Sequence, residues 1–259
     1  MTLRAEAEQP ASKEESINLE DDEQIMELKN DIEKQSKLDE DIIIGSTLVY
    51  LDGKEDQIRS RESKLGSLIT DSMLAALKAD LALINSRTIN SSIKEGLISL
   101  RDIKEVLPAQ DELVLKKIKG SALIKTLAHA VSEYPETAGF FPQLSGCRLI
   151  FAEKKNSENE ILKVFIDSKP LKAEKYYLLA TNDSLASGGD GFEEIKKAEK
   201  IKNFGRLDQI LINYLQQKEI IESVELGRII TVEQKGENYL YEVHKVKYLY
   251  LIAAKFSVS

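Results

Sequence analysis

The chain has 259 residues, 42% of them apolar and 31% charged, with one Cys and no Trp. That length and apolar share suit one large domain with extensions, and the composition excludes collagen-like, disulfide-rich and low-complexity classes. Cys147 alone forms no internal disulfide, and two histidines, His129 and His244, are too few for a two-metal hydrolase centre built on several His and Asp ligands.

The net charge of −8 is uneven. Residues 1–41 carry 14 acidic and 5 basic side chains, whereas the remaining 218 residues balance 31 basic against 30 acidic. The acidic excess therefore belongs to an amino-terminal arm, read as a solvated leader. A nearly neutral body without a basic stripe argues against nucleic acid as a partner. No apolar run of signal-peptide length opens the chain, and the apolar stretch 248–254 is too short to cross a bilayer. On this chain alone the expectation is a soluble, cytoplasmic protein with no membrane partner.

Residues 1–20 show no apolar periodicity and read as a disordered acidic leader. Ile25, Leu28 and Ile32, at i, i+3 and i+7, predict a linker helix within 21–41. Ile42–Ile44 and Thr47–Leu51 read as strand, turned at Asp52-Gly53. Leu65, Leu68, Ile69, Met73, Leu74 and Leu77 form a helical stripe. Leu81–Ile84 is a short apolar run before polar residues, the pattern of a buried strand that delivers a site at its carboxyl end.

A short helix is expected over Leu100–Leu107, stopped by Pro108, and a strand at Leu113–Leu115 with Ile118. A helix follows over Ser121–Tyr134, with Ser121 as its N-cap. Strands are expected at Arg148–Ala152, Ile161–Ile166 and Tyr176–Thr181, then a helix over Leu207–Gln217. The Tyr-rich end reads as a β-hairpin tail over 229–259, and the interleaving of helices and strands describes an α/β (mixed α+β) domain over 42–228.

Five stretches in order resemble the carboxy-terminal domain of the 5′-nucleotidase family. They are Ile44–Thr47 with Leu51–Gly53; Arg59–Gly66; Val106–Pro108 leading to Lys119–Leu123; Phe141–Gly146; and Ser187–Phe192. The resemblance covers roughly residues 22–228. It implies a metal-dependent phosphoric monoester hydrolase of two domains, in which an amino-terminal metallophosphatase domain holds two metal ions. The carboxy-terminal domain binds the nucleoside part of the nucleotide. The expectation is therefore a substrate-recognition domain that is not catalytic by itself, with no catalytic residue, metal or cofactor on this chain. Divalent metal ions are expected only in a separate metallophosphatase domain or chain. The alternative is a non-catalytic binding or protein-interaction module that keeps the same fold.

Residue by residue, the resemblance implies that Arg59 contacts the substrate near its phosphate, where a guanidinium offers forked donors. Asn85 matches the asparagine opening the family's Asn-Gly-Gly-Gly loop, its amide facing base or ribose. Asp190 matches the aspartate that accepts from ribose hydroxyls, on a turn that Gly188 and Gly189 permit. This chain departs from the pattern by reading Asn85-Ser86-Arg87-Thr88-Ile89-Asn90, so the family's second binding arginine is Asn90. Arg87 is the candidate to replace it, from three residues earlier. The two aromatic rings that clamp the base are Leu113 and Ser184 here, and stacking contributes about 1–3 kcal/mol per base in nucleic-acid sites. His129 and Cys147 read as packed, structural residues.

Overall fold

The computed structural model describes residues 40–154, 159–235 and 238–241. The leader expected over 1–20 and the linker helix, up to residue 39, lie outside the described residues, as do the turn and far end of the tail.

The described chain runs β1 (Ile43–Thr47), α1 (Glu55–Ile58), α2 (Lys64–Ala76), β2 (Leu81–Asn85), β3 (Gly96–Ser99) and α3 (Leu100–Val106). It continues through β4 (Glu112–Lys119), α4 (Gly120–Ala130), β5 (Pro142–Ser145), β6 (Cys147–Glu153), β7 (Glu160–Ile166), β8 (Lys169–Pro170) and β9 (Tyr176–Asn182). It closes with α5 (Asp183–Ala186), α6 (Glu193–Lys197), β10 (Glu199–Arg206), α7 (Leu207–Lys218), β11 (Ile220–Ile221), β12 (Ile229–Lys235) and β13 (Asn238–Tyr241).

A five-stranded sheet, ordered β10-β4-β9-β2-β5, divides two apolar cores. Period-2 alternation sorts its side chains between them. On β2, Ala82 and Ile84 enter one core with α2, α3 and α7, while Leu81 and Leu83 enter the other with α4, β6 and β7. This explains the uninterrupted apolar run: both faces of β2 are covered, so no position is left for a solvated side chain. Pairing is mixed, with β2 parallel to β9 and antiparallel to β5. A second sheet, β13-β12-β6-β7-β8, backs the second core, and a small one, β11-β1-β3, borders the first.

The strand expected over Thr47–Leu51 ends at Thr47. The Thr47 hydroxyl donates to the Val49 carbonyl (2.8 Å) and accepts from the Val49 amide (3.2 Å), a local bond pair that bends the backbone out of the ladder. Ser121 does not cap α4, which begins one residue earlier. The Gly120 and Ser121 amides donate instead to the Lys175 and Ala173 carbonyls, at 2.8 Å each. The expected hairpin pairs β12 with β13, and β12 also lies parallel to β6, which places it inside the second sheet. Its entry is anchored by Glu62, which accepts from the Gly227 (2.7 Å) and Arg228 (3.0 Å) amides, and by the Arg228–Asp71 ion pair at 2.8 Å.

Candidate functional site

Parallel pairing brings the carboxyl ends of β2 and β9 to one edge of the central sheet, where polar residues end both apolar strands. Asn85 closes β2 and Asn182 closes β9, and both are buried. The Asn182 amide donates to Asn85 Oδ1 (3.3 Å) and to the Thr88 hydroxyl (3.0 Å), while Thr88 donates to Asn85 Oδ1 (2.7 Å). With its oxygen taken twice, Asn85 has its amide group fixed in direction. Its Nδ2 donates to Asp190 Oδ2 at 2.6 Å.

Asp190 is presented by the loop between α5 and α6. Gly188 (φ 91°) and Gly191 (φ 83°) adopt left-handed backbone, and Asp190 does so as well at φ 53°. Glycine enters that region freely and Asp is among the residues that tolerate it. Gly189 is needed for space: a Cβ there would lie 2.6 Å from Ser184 Oγ and 2.8 Å from its carbonyl oxygen. His129 on α4 completes the support. Its Nε2 lies 2.7 Å from the Asp190 carbonyl oxygen, and its ring stacks on Phe140 and meets Phe192 edge-on. This histidine contacts the loop through its backbone.

Arg87 closes the other side of the carboxylate, its Nη1 2.7 Å from Asp190 Oδ1. The structure thus brings Asn85, Arg87, Gly188, Gly189 and Asp190 into one site. Arg59, the residue that closes α1, pairs with Glu55 at the start of that helix, whereas the ion pair of Asp190 is with Arg87. Arg59 is nonetheless tied to the same neighbourhood: its carbonyl accepts from Ala138 N (2.9 Å), and the adjoining Gly139 carbonyl accepts from Arg87 N (2.8 Å). Of the departures from the family pattern, Leu113 is buried in the first core, Ser184 is exposed beside Gly189, and Asn90 is exposed.

Sequence reasoning missed Asn182, Thr88 and Asp111. The signal for Asn182 was present, because Asn182-Asp183-Ser184 after an apolar strand is a helix-capping pattern, and Asn182 Oδ1 does accept from Leu185 N at 3.2 Å. Asp111 lies 3.5 Å from Asn182 Nδ2. Burial first, and then the Asp183 carboxylate, push the Asp111 carboxyl above its ordinary range, while the Asn182 hydrogen bond pulls it back. Its native pKa exceeds the unfolded one, so ionisation costs the native state stability as pH rises through that interval. Asp111→Asn is therefore expected to raise the melting temperature at pH 7, with the gain vanishing at a pH low enough to protonate Asp111 in both states. A variant that melts at or below wild type at pH 7 contradicts this.

Burial pushes the Cys147 thiol up to about 12, so it stays protonated and unreactive at neutral pH. Among the described residues no group of three His, Cys, Asp or Glu side chains is placed to hold a metal ion. Nor is any helix among them long and apolar enough to cross a membrane. The polar side chains at the ends of β2 and β9 gather as a hydrogen-bonded cluster around the Asp190 carboxylate.

The family described as "5'-nucleotidase, C-terminal domain" matches residues 43–197. The chain is 31% identical over 209 residues to a 5'-nucleotidase of Bos taurus, covering 72% of this chain and 36% of that protein. It is 28% identical over 216 residues to a 5'-nucleotidase of Diplobatis ommata, covering 75% and 37%. The crystal structure of a 5'-nucleotidase precursor from Thermus thermophilus matches with a TM-score of 0.72 at 30% identity, over 80% of this chain and 43% of that one. The chain thus spans little more than a third of the curated relatives it matches. With more than half of its residues covered by the family match and an α/β fold shared with a relative of known structure, this chain belongs to the 5′-nucleotidase carboxy-terminal domain family.

Proposed function

We propose that this chain recognises the nucleoside part of a nucleotide for a 5′-nucleotidase-like hydrolase in nucleotide catabolism. Metal ions and hydrolysis belong, in this reading, to a metallophosphatase domain or a separate chain. The observation that carries it is the Asp190 carboxylate, aimed from a glycine turn at the strand ends and oriented by the buried Asn85 amide. A carboxylate in that setting accepts from two neighbouring hydroxyls, as a ribose diol supplies. Arg59, on the turn bonded to Ala138, is the group for the ligand's phosphate side. Residues of this chain bind and orient; they make and break no bond.

A second reading keeps the fold as a non-catalytic interaction module. It is favoured by Leu113 and Ser184, one buried in the core and one without a ring, which leave a base with no stacking partner at those positions.

Calorimetric titration of the purified chain with adenosine and AMP separates the two. Micromolar heats that weaken about tenfold or more in Asp190→Ala are expected, because a charge-assisted hydrogen bond is lost. No heat for wild type at millimolar ligand would overturn nucleoside recognition and leave the interaction module.

A further inference from the structure

The two oxygens of Asp190 are held unequally. Oδ2 receives Asn85 Nδ2, and Asn85 is buried and fixed in turn by Thr88 and Asn182. Oδ1 receives Arg87, whose side chain is 62% exposed against 9% for Asp190. The first donor has no room to leave. The second turns away into solvent by rotating its own side chain.

We infer that Arg87 is a displaceable cap on Asp190 that makes the site select ligands carrying a phosphate over neutral nucleosides. This rests on the reading of the site as a nucleoside subsite. A ligand hydroxyl that takes Oδ1 must replace the guanidinium there. Because the arginine end of the pair is exposed, that competition costs a ligand no more than about fivefold in affinity. Displacement then leaves a cation beside the ligand without its counter-ion. A neutral nucleoside gives it nothing, whereas a phosphate offers paired oxygens that match the forked donors.

The backbone supports a swing confined to the side chain. Arg87 N is fixed to the Gly139 carbonyl at 2.8 Å, and the adjoining Ser86 N is fixed to the Phe141 carbonyl at 2.9 Å. The guanidinium lies where Gly139 lacks a side chain: a Cβ there would stand 2.9 Å from Arg87 Nε and 3.1 Å from Nη2. Gly139 therefore shapes the resting place of the cap. The Arg59 carbonyl is bonded to the neighbouring Ala138 amide, which places a second arginine on the same short segment of backbone.

The test is calorimetry of wild type, Arg87→Ala and Gly139→Ala, each with adenosine and with AMP. Arg87→Ala is expected to bind adenosine about two- to fivefold tighter, because a competing ion pair is gone. It is expected to bind AMP about tenfold weaker, because the anion contact is lost. Gly139→Ala pushes the guanidinium off Asp190 yet keeps its charge, so adenosine and AMP both tighten by the same two- to fivefold and the ratio of their affinities stays at the wild-type value. An unchanged ratio of AMP to adenosine affinity in Arg87→Ala overturns the cap while leaving nucleoside recognition in place. Binding of neither ligand by any of the three chains overturns the recognition reading, and the cap with it.

Discussion

Phe151→Ala is expected to cost about 3–5 kcal/mol of folding stability, the range for removing a fully buried aromatic ring. Phe151 sits on the middle strand of the second sheet, opposite Ile161 of β7 and Thr231 of β12. It is completely buried, and its ring meets Tyr134 edge-on with centroids 5.2 Å apart. Strands on both sides hold the backbone, so the walls of the resulting cavity have little freedom to collapse. The same core contains Leu185, Phe192 and Ile195, which flank the Asp190 loop, so ligand affinity is expected to fall with stability. Urea denaturation monitored by far-ultraviolet dichroism measures the effect. A loss under about 1 kcal/mol would mean that the cavity does collapse, and the account of a rigid second core would be wrong.

The second large effect is expected at Gln143, a fully buried polar residue on β5. Its Oε1 accepts from Ser63 N at 3.0 Å, and its Nε2 donates to the Ile58 (3.1 Å) and Arg61 (3.0 Å) carbonyls. One side chain thus satisfies three backbone groups of the turn that carries Arg59. Gly66 makes room for it, since a Cβ there would lie 2.2 Å from Gln143 Oε1. Gln143→Leu keeps comparable volume but strands those three groups. At about 1–3 kcal/mol for each buried unsatisfied group, and with partial relief from water at the turn, the expected loss is about 3 kcal/mol. AMP binding is expected to weaken as well, because Arg59 lies between the tethered residues 58 and 61. A leucine variant as stable as wild type would show that the turn finds other partners, and that Gln143 does not position it.

Elements whose burial follows a single local period were legible in the sequence. The stripe from Leu65 to Leu77 becomes α2, and the Leu81–Ile84 run becomes the doubly covered β2. In both, the apolar spacing reports which faces meet a core. Strand β10 was not legible, because all but one of its residues, Gly205, are exposed and it carries Lys200 and Lys202. Its only signal is main-chain pairing with β4, to which propensity and periodicity are blind. Strand β5 was hidden differently: it opens on Pro142 and buries Gln143 and Ser145, polar residues that a pattern reading assigns to a loop. Their burial is tolerated because distant groups satisfy them, Ser145 donating to Asp71 at 2.5 Å.

The site divides in the same way. The family resemblance, the buried strand ending at Asn85 and the Gly188-Gly189-Asp190 turn are each written in contiguous residues and could be read from them. That Asn85 meets Asp190 across 105 residues of chain, and that Asn182 joins them, follows from the folded arrangement alone. That arrangement also decided that Arg87 closes on Asp190 while Arg59 pairs with Glu55. Local spacing sets which side of an element a residue occupies. Which residues then touch is set by the parallel pairing of β2 with β9, and by the left-handed turn that carries Asp190 back to them.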